Sequence, residues 1–179
     1  GKPYLRIKQA NYLIGILGLN EMVQYHTGFE LHENEAAFKF GLKVIAALAL
    51  EAKRFAKEYG MRFVLEQTPA ESTAYRLALL DLEEFPKAAR SVVKGDINHR
   101  SVYYTNSTYL NIQTPLPPLA KVYLEGKFHD MIEAGALSHI WLGEARPDKE
   151  SVARFVKRTF QETRNAQIAF SPECTSCNS

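Results

Sequence analysis

Cysteine is nearly missing from these 179 residues: the chain holds two, Cys174 and Cys177, both at its extreme C-terminal end. A disulfide-stapled scaffold is therefore excluded. Neither sign of charge prevails, since 22 Lys and Arg face 20 Asp and Glu for a formal charge of +2. With no dense Lys/Arg block, charge gives no reason to expect a nucleic-acid or membrane partner. No apolar stretch reaches the roughly 18–20 residues of a membrane span, and the richest run, Val44 to Leu50, sits among charged residues. Gly1-Lys2-Pro3-Tyr4 lacks the layout of a secretory signal, so the expected setting is the cytoplasm. Nucleotide-loop glycines are missing too. Gly15-Ile16-Leu17-Gly18 has neither the third glycine of a dinucleotide fold nor the Gly-Lys-Ser/Thr of a P-loop. Without repeats, low-complexity tracts or a long linker, the 46% apolar content points to one core.

What is present alternates. Tyr12 to Gly18 is a continuous apolar run, consistent with a buried strand or a buried helix segment. A short helix follows over Leu19 to Thr27, stopped by Gly28. Asn34 is a good N-cap for a long helix ending at Tyr59, before Gly60. Phe38, Leu42, Ile45, Ala49, Ala52 and Ala56 recur at three- and four-residue steps and give it one apolar face. Further strands are expected over Arg62 to Gln67, Ser101 to Ile112, Leu137 to Leu142 and Ala166 to Phe170. The matching helices run from Pro69 to about Glu84, Leu119 towards Glu133, and Asp148 to Thr163. Strand and helix in alternation predict an α/β fold with a largely parallel sheet, open or part of a closed barrel. In such sheets chemistry gathers at the carboxyl ends of strands. Asn20-Glu21, Gln67 to Thr73, Thr105 to Thr108 and Gly143-Glu144 fall there.

Thr68-Pro69-Ala70-Glu71 reads as a capping box, with Thr68 as N-cap, Pro69 at N1 and Glu71 at N3. The same geometry offers free amides, with the Ser72 and Thr73 hydroxyls, to a phosphate. Glu71 would compete with an anion there, so it suits acid/base work on a neutral part of the same ligand. Tyr103 to Thr108 is either a polar strand exit or a ligand-facing rim. Cys174-Thr175-Ser176-Cys177 can supply two corners of a tetrahedral zinc site, which needs four ligands. A redox pair would open a helix, and two bystander cysteines are the remaining reading. Such a motif rarely closes a domain, so a longer polypeptide is expected. The five histidines show no metal-ligand spacing and are read as structural or surface groups.

Five stretches occur together and in order: Gly18-Leu19-Asn20-Glu21-Met22, Tyr25-His26-Thr27-Gly28, Gln67 to Thr73, Tyr103-Tyr104-Thr105-Asn106-Ser107, and Pro172-Glu173-Cys174 with Cys177. Together they resemble the catalytic subunit of anaerobic (class III) ribonucleoside-triphosphate reductases, over nearly the whole chain. The resemblance implies a ten-stranded α/β barrel of the glycyl radical enzyme type, with residues 1–171 inside it and 172–179 opening a zinc-binding segment. It implies reduction of ribonucleoside triphosphates to deoxyribonucleotides, a radical-SAM activase, formate or a thioredoxin-like protein as reductant, and a homodimer. Residue by residue, Thr68, Pro69, Ala70, Ser72 and Thr73 match the substrate-phosphate loop. Asn106 and Ser107 match its rim, and Glu71 matches a glutamate that exchanges protons at the ribose. Cys174 and Cys177 match the first pair of a four-cysteine zinc site.

The departures are as informative. No cysteine precedes residue 174, so the thiyl-forming cysteine is missing. The glycyl-radical segment and the region binding ATP or dNTP effectors are missing as well. The resemblance thus implies the later part of a barrel that is inactive alone. The competing expectations are another α/β enzyme holding a phosphorylated metabolite at a helix N-terminus, or a non-catalytic zinc-knuckle module.

Overall fold

Asn34 sets the longest element. Its side-chain oxygen accepts hydrogen bonds from the Ala36 and Ala37 amides at 2.8 and 3.3 Å, and Gly60 closes the helix in the left-handed region at φ +62°. The structure, a computed structural model, describes residue 4 and residues 6–143 and 145–171. In chain order the elements are β1 (Asn11–Gly15), α1 (Leu19–Thr27), α2 (Glu35–Tyr59), β2 (Arg62–Glu66), α3 (Glu71–Glu84) and α4 (Pro86–Ala89). They continue with β3 (Lys94–Asp96), β4 (Ser101–Tyr103), α5 (Pro118–His129), β5 (Ser138–Trp141), α6 (Lys149–Glu162) and β6 (Ile168–Ser171).

Two parallel pairs carry the α/β character. β1 lies beside β2 with Leu13 opposite Val64, and β5 lies beside β6 with Ile140 opposite Phe170. The crossovers are α1–α2 and α6, as parallel neighbours require. Beyond β2, the Ala134 amide bonds Leu65 O at 3.0 Å and the Gln67 amide bonds Gly135 O at 3.1 Å. The segment leading into β5 therefore lies along the free side of β2. The fold is the expected alternating α/β type.

The core lies where α1, α2 and α5 meet β2. Val23, Ile45, Leu65, Leu110 and Phe128 are each no more than 2% exposed, and Phe38 meets Phe128 edge to face at 5.3 Å. Of the expected α2 face, Phe38, Ile45 and Ala52 are buried, while Leu42, Ala49 and Ala56 are only half-buried. The seam instead includes Gly41, where an added Cβ would come within 2.6 Å of the Leu31 side chain. α1 and its following turn pack close to α2 at that point. Among the described residues, no helix is long and apolar enough to cross a membrane.

Two expectations change. The run over Tyr12 to Gly18 forms a strand only to Gly15, and Leu13 is 50% exposed. The strand expected over Ser101 to Ile112 stops at Tyr103, paired in an antiparallel hairpin with β3. Beyond Tyr103 polar side chains replace a ladder: Thr105, Ser107 and Thr108 turn inward and are buried. The partner strand, Lys94-Gly95-Asp96, has the composition of a turn, so nothing local announces it.

Candidate functional site

The turn after β2 is tied to the 106–108 loop and to the segment leading into β5. Gln67 donates from Nε2 to Thr108 Oγ1 at 2.7 Å and accepts from the Leu137 amide at 2.8 Å. Thr68 donates to Glu66 Oε2 at 3.0 Å. Asn106 Oδ1 accepts from the Ala70 amide at 3.3 Å. Gly15 ends β1 beneath this turn, and a Cβ there would approach Thr68 Oγ1 to 2.7 Å.

These bonds overturn the expected capping box. α3 begins at Glu71, with Ala70 as N-cap and no side-chain cap bond. The Thr68 hydroxyl is committed to Glu66, and Asn106 takes the Ala70 amide, so the helix starts two residues later than expected. Glu71 is therefore N1, not N3. Its side chain is exposed, and among the described residues it makes no hydrogen bond back to its helix. Ser72 is exposed and Thr73 half-buried on the same turn, beside exposed Pro69. First-turn amides have no partner within a helix, so this end offers donors to an anion.

Facing the turn, the 104–108 loop is fixed from behind. Glu21 in α1 is 3% exposed. It accepts from the Thr105 amide at 3.0 Å and from Thr105 Oγ1 at 2.6 Å. Gly18 N donates to Thr105 O at 2.9 Å. Ser107 sits at φ +50° with its hydroxyl buried and unpartnered among the described residues. Tyr104 donates to Asp81 Oδ2 at 2.7 Å, which ties the loop to α3 as well. The Tyr109 hydroxyl is pushed up to about 12 by burial, with Glu125 and Glu71 adding negative potential. It stays protonated and able to donate.

Residues 3–179 match the family model described as anaerobic ribonucleoside-triphosphate reductase. The chain belongs to this family. It is 26% identical over 133 residues to the anaerobic ribonucleoside-triphosphate reductase of Haemophilus influenzae, covering 73% of this chain and 18% of that protein. The Escherichia coli protein is likewise 26% identical, over 132 residues and with the same shares. The phage T4 protein is 26% identical over 106 residues, 59% of this chain and 16% of its own length. The chain thus spans 18% or less of the length of these relatives.

Solved structures share the fold. An anaerobic ribonucleotide reductase superposes with a TM-score of 0.75 at 22% identity, covering 97% of this chain and 27% of that one. The Thermotoga maritima reductase in complex with dATP and CTP gives 0.70 at 23%, covering 88% and 25%.

Within this family member, three of the four expected strand-end stretches converge: Asn20-Glu21, Gln67 to Thr73, and Thr105 to Thr108. Gly143 follows β5 at a distance in sequence from them, and Glu144 lies outside the described residues, as do Cys174 and Cys177. Among the described residues no three His, Cys, Asp or Glu side chains gather as a metal site. His129 Nδ1 accepts from the Ala166 amide at 3.0 Å, and burial lowers its imidazole to about 4. His139 stacks on Trp141 at 4.1 Å. An open cleft of about 510 Å³ lies between α1 and the α3–α4 corner, lined by Met22, Tyr25, Leu77 and Phe85. Gly18, Glu21 and Tyr104 line it as well, but no residue of the 67–73 turn does.

Sequence reasoning missed Gln67 as an organiser, and missed that Glu21 is buried. It also missed Glu30 and Lys94, whose ion pair at 2.5 Å lies behind Asn20. Burial pushes the Glu30 carboxyl up, but Lys94, Asn20 and Asn111 outweigh it and hold it below its usual value.

Proposed function

We propose that this chain is part of the catalytic barrel of an enzyme reducing ribonucleoside triphosphates to deoxyribonucleoside triphosphates. Residues 1–171 belong to the barrel in this reading, and 172–179 open a zinc-binding segment. Thr68 to Thr73, with Asn106 and Ser107 across from them, receive the substrate phosphates. Glu71 exchanges protons with the ribose hydroxyls as water leaves C2′. One observation carries the reading: Glu71 opens α3, exposed and without a bond to its own helix, on the turn that presents the first-turn amides.

Hydrogen abstraction at the ribose would be supplied by a thiyl radical generated from a glycyl radical, both on residues outside this chain. The chain's own residues bind the phosphates, orient the sugar and hold a proton at the Glu71 carboxylate. Effector nucleotides, a radical-SAM activase, formate or a thioredoxin-like reductant, a homodimeric assembly and a cytoplasmic setting complete the reading. Zinc rests on the donor chemistry of Cys174 and Cys177, two thiolates at a spacing that fills half a tetrahedral site.

The test uses the full-length enzyme. Glu71→Gln is expected to lower turnover by about 10²–10⁴ with substrate affinity retained. Unchanged turnover would return Glu71 to an ordinary surface residue. Metal analysis of the same protein should find about one zinc per chain, lost in Cys174→Ser. Intact thiols without metal would remove the zinc assignment.

A further inference from the structure

Thr105 is held by three bonds, all from the start of α1. Its amide reaches Glu21 Oε2 at 3.0 Å, its hydroxyl reaches Glu21 Oε1 at 2.6 Å, and its carbonyl accepts from Gly18 N at 2.9 Å. The next residue, Asn106, bridges to Leu17 and accepts from the Ala70 amide. A rigid path therefore runs from Glu21 through Thr105 and Asn106 to the residue before Glu71.

The far end of the loop returns to the same buried network. Asn20 Nδ2 donates to Glu21 Oε1 at 3.1 Å and to Glu30 Oε2 at 3.2 Å, while its Oδ1 accepts from the Leu31 amide at 3.1 Å. Glu30 Oε1 accepts from Lys94 Nζ at 2.5 Å and from Asn111 Nδ2 at 3.2 Å. Two buried carboxylates thus grip the 105–111 loop at both ends. An apolar pair would fill this space at less desolvation cost, so stability alone gives little reason for them. What they add is a fixed loop geometry.

We propose that Glu21 is a positioning residue: through Thr105 it fixes Asn106 against the Ala70 amide and so sets the turn that receives the substrate phosphates. The inference rests on the phosphate-turn reading above. Burial raises the Glu21 carboxyl, and the hydrogen bonds from Thr105 and Asn20 oppose that rise. Either protonation state accepts from Thr105, but only the carboxylate accepts on both oxygens without a competing proton.

The experiment uses full-length enzyme with substitutions at Glu21, Thr105 and Asn106. Glu21→Gln and, separately, Thr105→Val should raise the KM for the ribonucleoside triphosphate about tenfold, with kcat the smaller change at under about threefold. Thr105→Val covers the case in which Glu21→Gln does not fold. Thr105→Ser, which keeps both donors, should recover most of the affinity lost in Thr105→Val. In an Asn106→Ala background, Glu21→Gln should add less than about twofold, because its route to the turn is already cut. Fully multiplicative effects, or an unchanged KM in folded Glu21→Gln or Thr105→Val, would overturn the proposal. If Asn106→Ala, Ser72→Ala and Thr73→Ala all leave KM unchanged, the phosphate-turn reading fails and takes this proposal with it. If those three raise KM while the Glu21 and Thr105 variants do not, only the positioning role fails.

Discussion

Of the helices that start without a side-chain cap, α1 and α3 each carry a glutamate in the first turn. α1 begins after Gly18 in the left-handed region, and α3 begins after Ala70. Both carboxylates lie near the positive end of a helix dipole, where negative charge is favoured. There the likeness ends. Glu21 is buried and fully occupied by Thr105 and Asn20, whereas Glu71 is exposed. A carboxylate whose oxygens are saturated by the protein can only hold its surroundings in place. One facing solvent beside free amides retains its capacity for a ligand's protons.

The sharpest way to break this comparison is to remove each side chain in turn. Glu21→Ala leaves the Thr105 amide and hydroxyl buried without acceptors and should cost about 3 kcal/mol. Glu71→Ala, an exposed change, should stay within about 0.5 kcal/mol. Thermal unfolding of the full-length enzyme reads the difference as a lowered midpoint for the first variant only. Equal midpoints would mean that burial does not separate the two sites.

Acid tests the same contrast on imidazoles. His129 is buried, and its folded value of about 4 lies below the ordinary 6.5, while exposed His99 is raised by its bond to Asp96. Unfolded His129 takes up a proton below about pH 6.5, but the folded residue does not until about pH 4. Its contribution is therefore present above pH 6.5 and is lost as pH falls through that window, by up to about 3 kcal/mol. Glu21 works in the opposite sense, because its raised value favours the folded state at low pH and that contribution fades as pH rises. Labelled-histidine NMR should show His129 neutral well after His99 has protonated. His129→Gln should flatten the stability loss between about pH 6.5 and 4. Simultaneous titration of the two histidines would contradict the burial argument.

Elements with a local signal were legible in the sequence. Asn34 and Gly60 bracket α2 as expected, and Asp148 caps α6 by accepting from the Ser151 amide at 2.8 Å. The fold class followed from the order of elements. The start of α3 did not, because Thr68 and Asn106 are claimed by partners 2 and 36 residues away in sequence. Nor did the 105–111 loop, whose fixing groups Glu21 and Glu30 lie on the far side of α2 and β2 in the chain. Motif order drew attention to Gly-Leu-Asn-Glu and to Thr-Asn-Ser, but a motif does not say which oxygen meets which amide. The residue types along these stretches were visible, while the long-range bonds that arrange them were not.

The finest test changes the charge at α3 without changing its shape. Ala70 has ψ 43°, whereas Asn34, a working cap, has ψ 133°, so a side chain placed at 70 is not aimed as a cap bond requires. Ala70→Asp and Ala70→Asn should then each shift stability by less than about 1 kcal/mol. Their effects on substrate should differ. The aspartate puts a negative charge beside the amides that the proposed function offers to phosphate, and like charges repel by about 1 to 4 kcal/mol at 4 Å, from water to a protein surface. The triphosphate KM should rise about tenfold in Ala70→Asp beyond any change in Ala70→Asn, and added salt should narrow that gap. If the two variants raise KM equally, sterics rather than charge governs this end of α3.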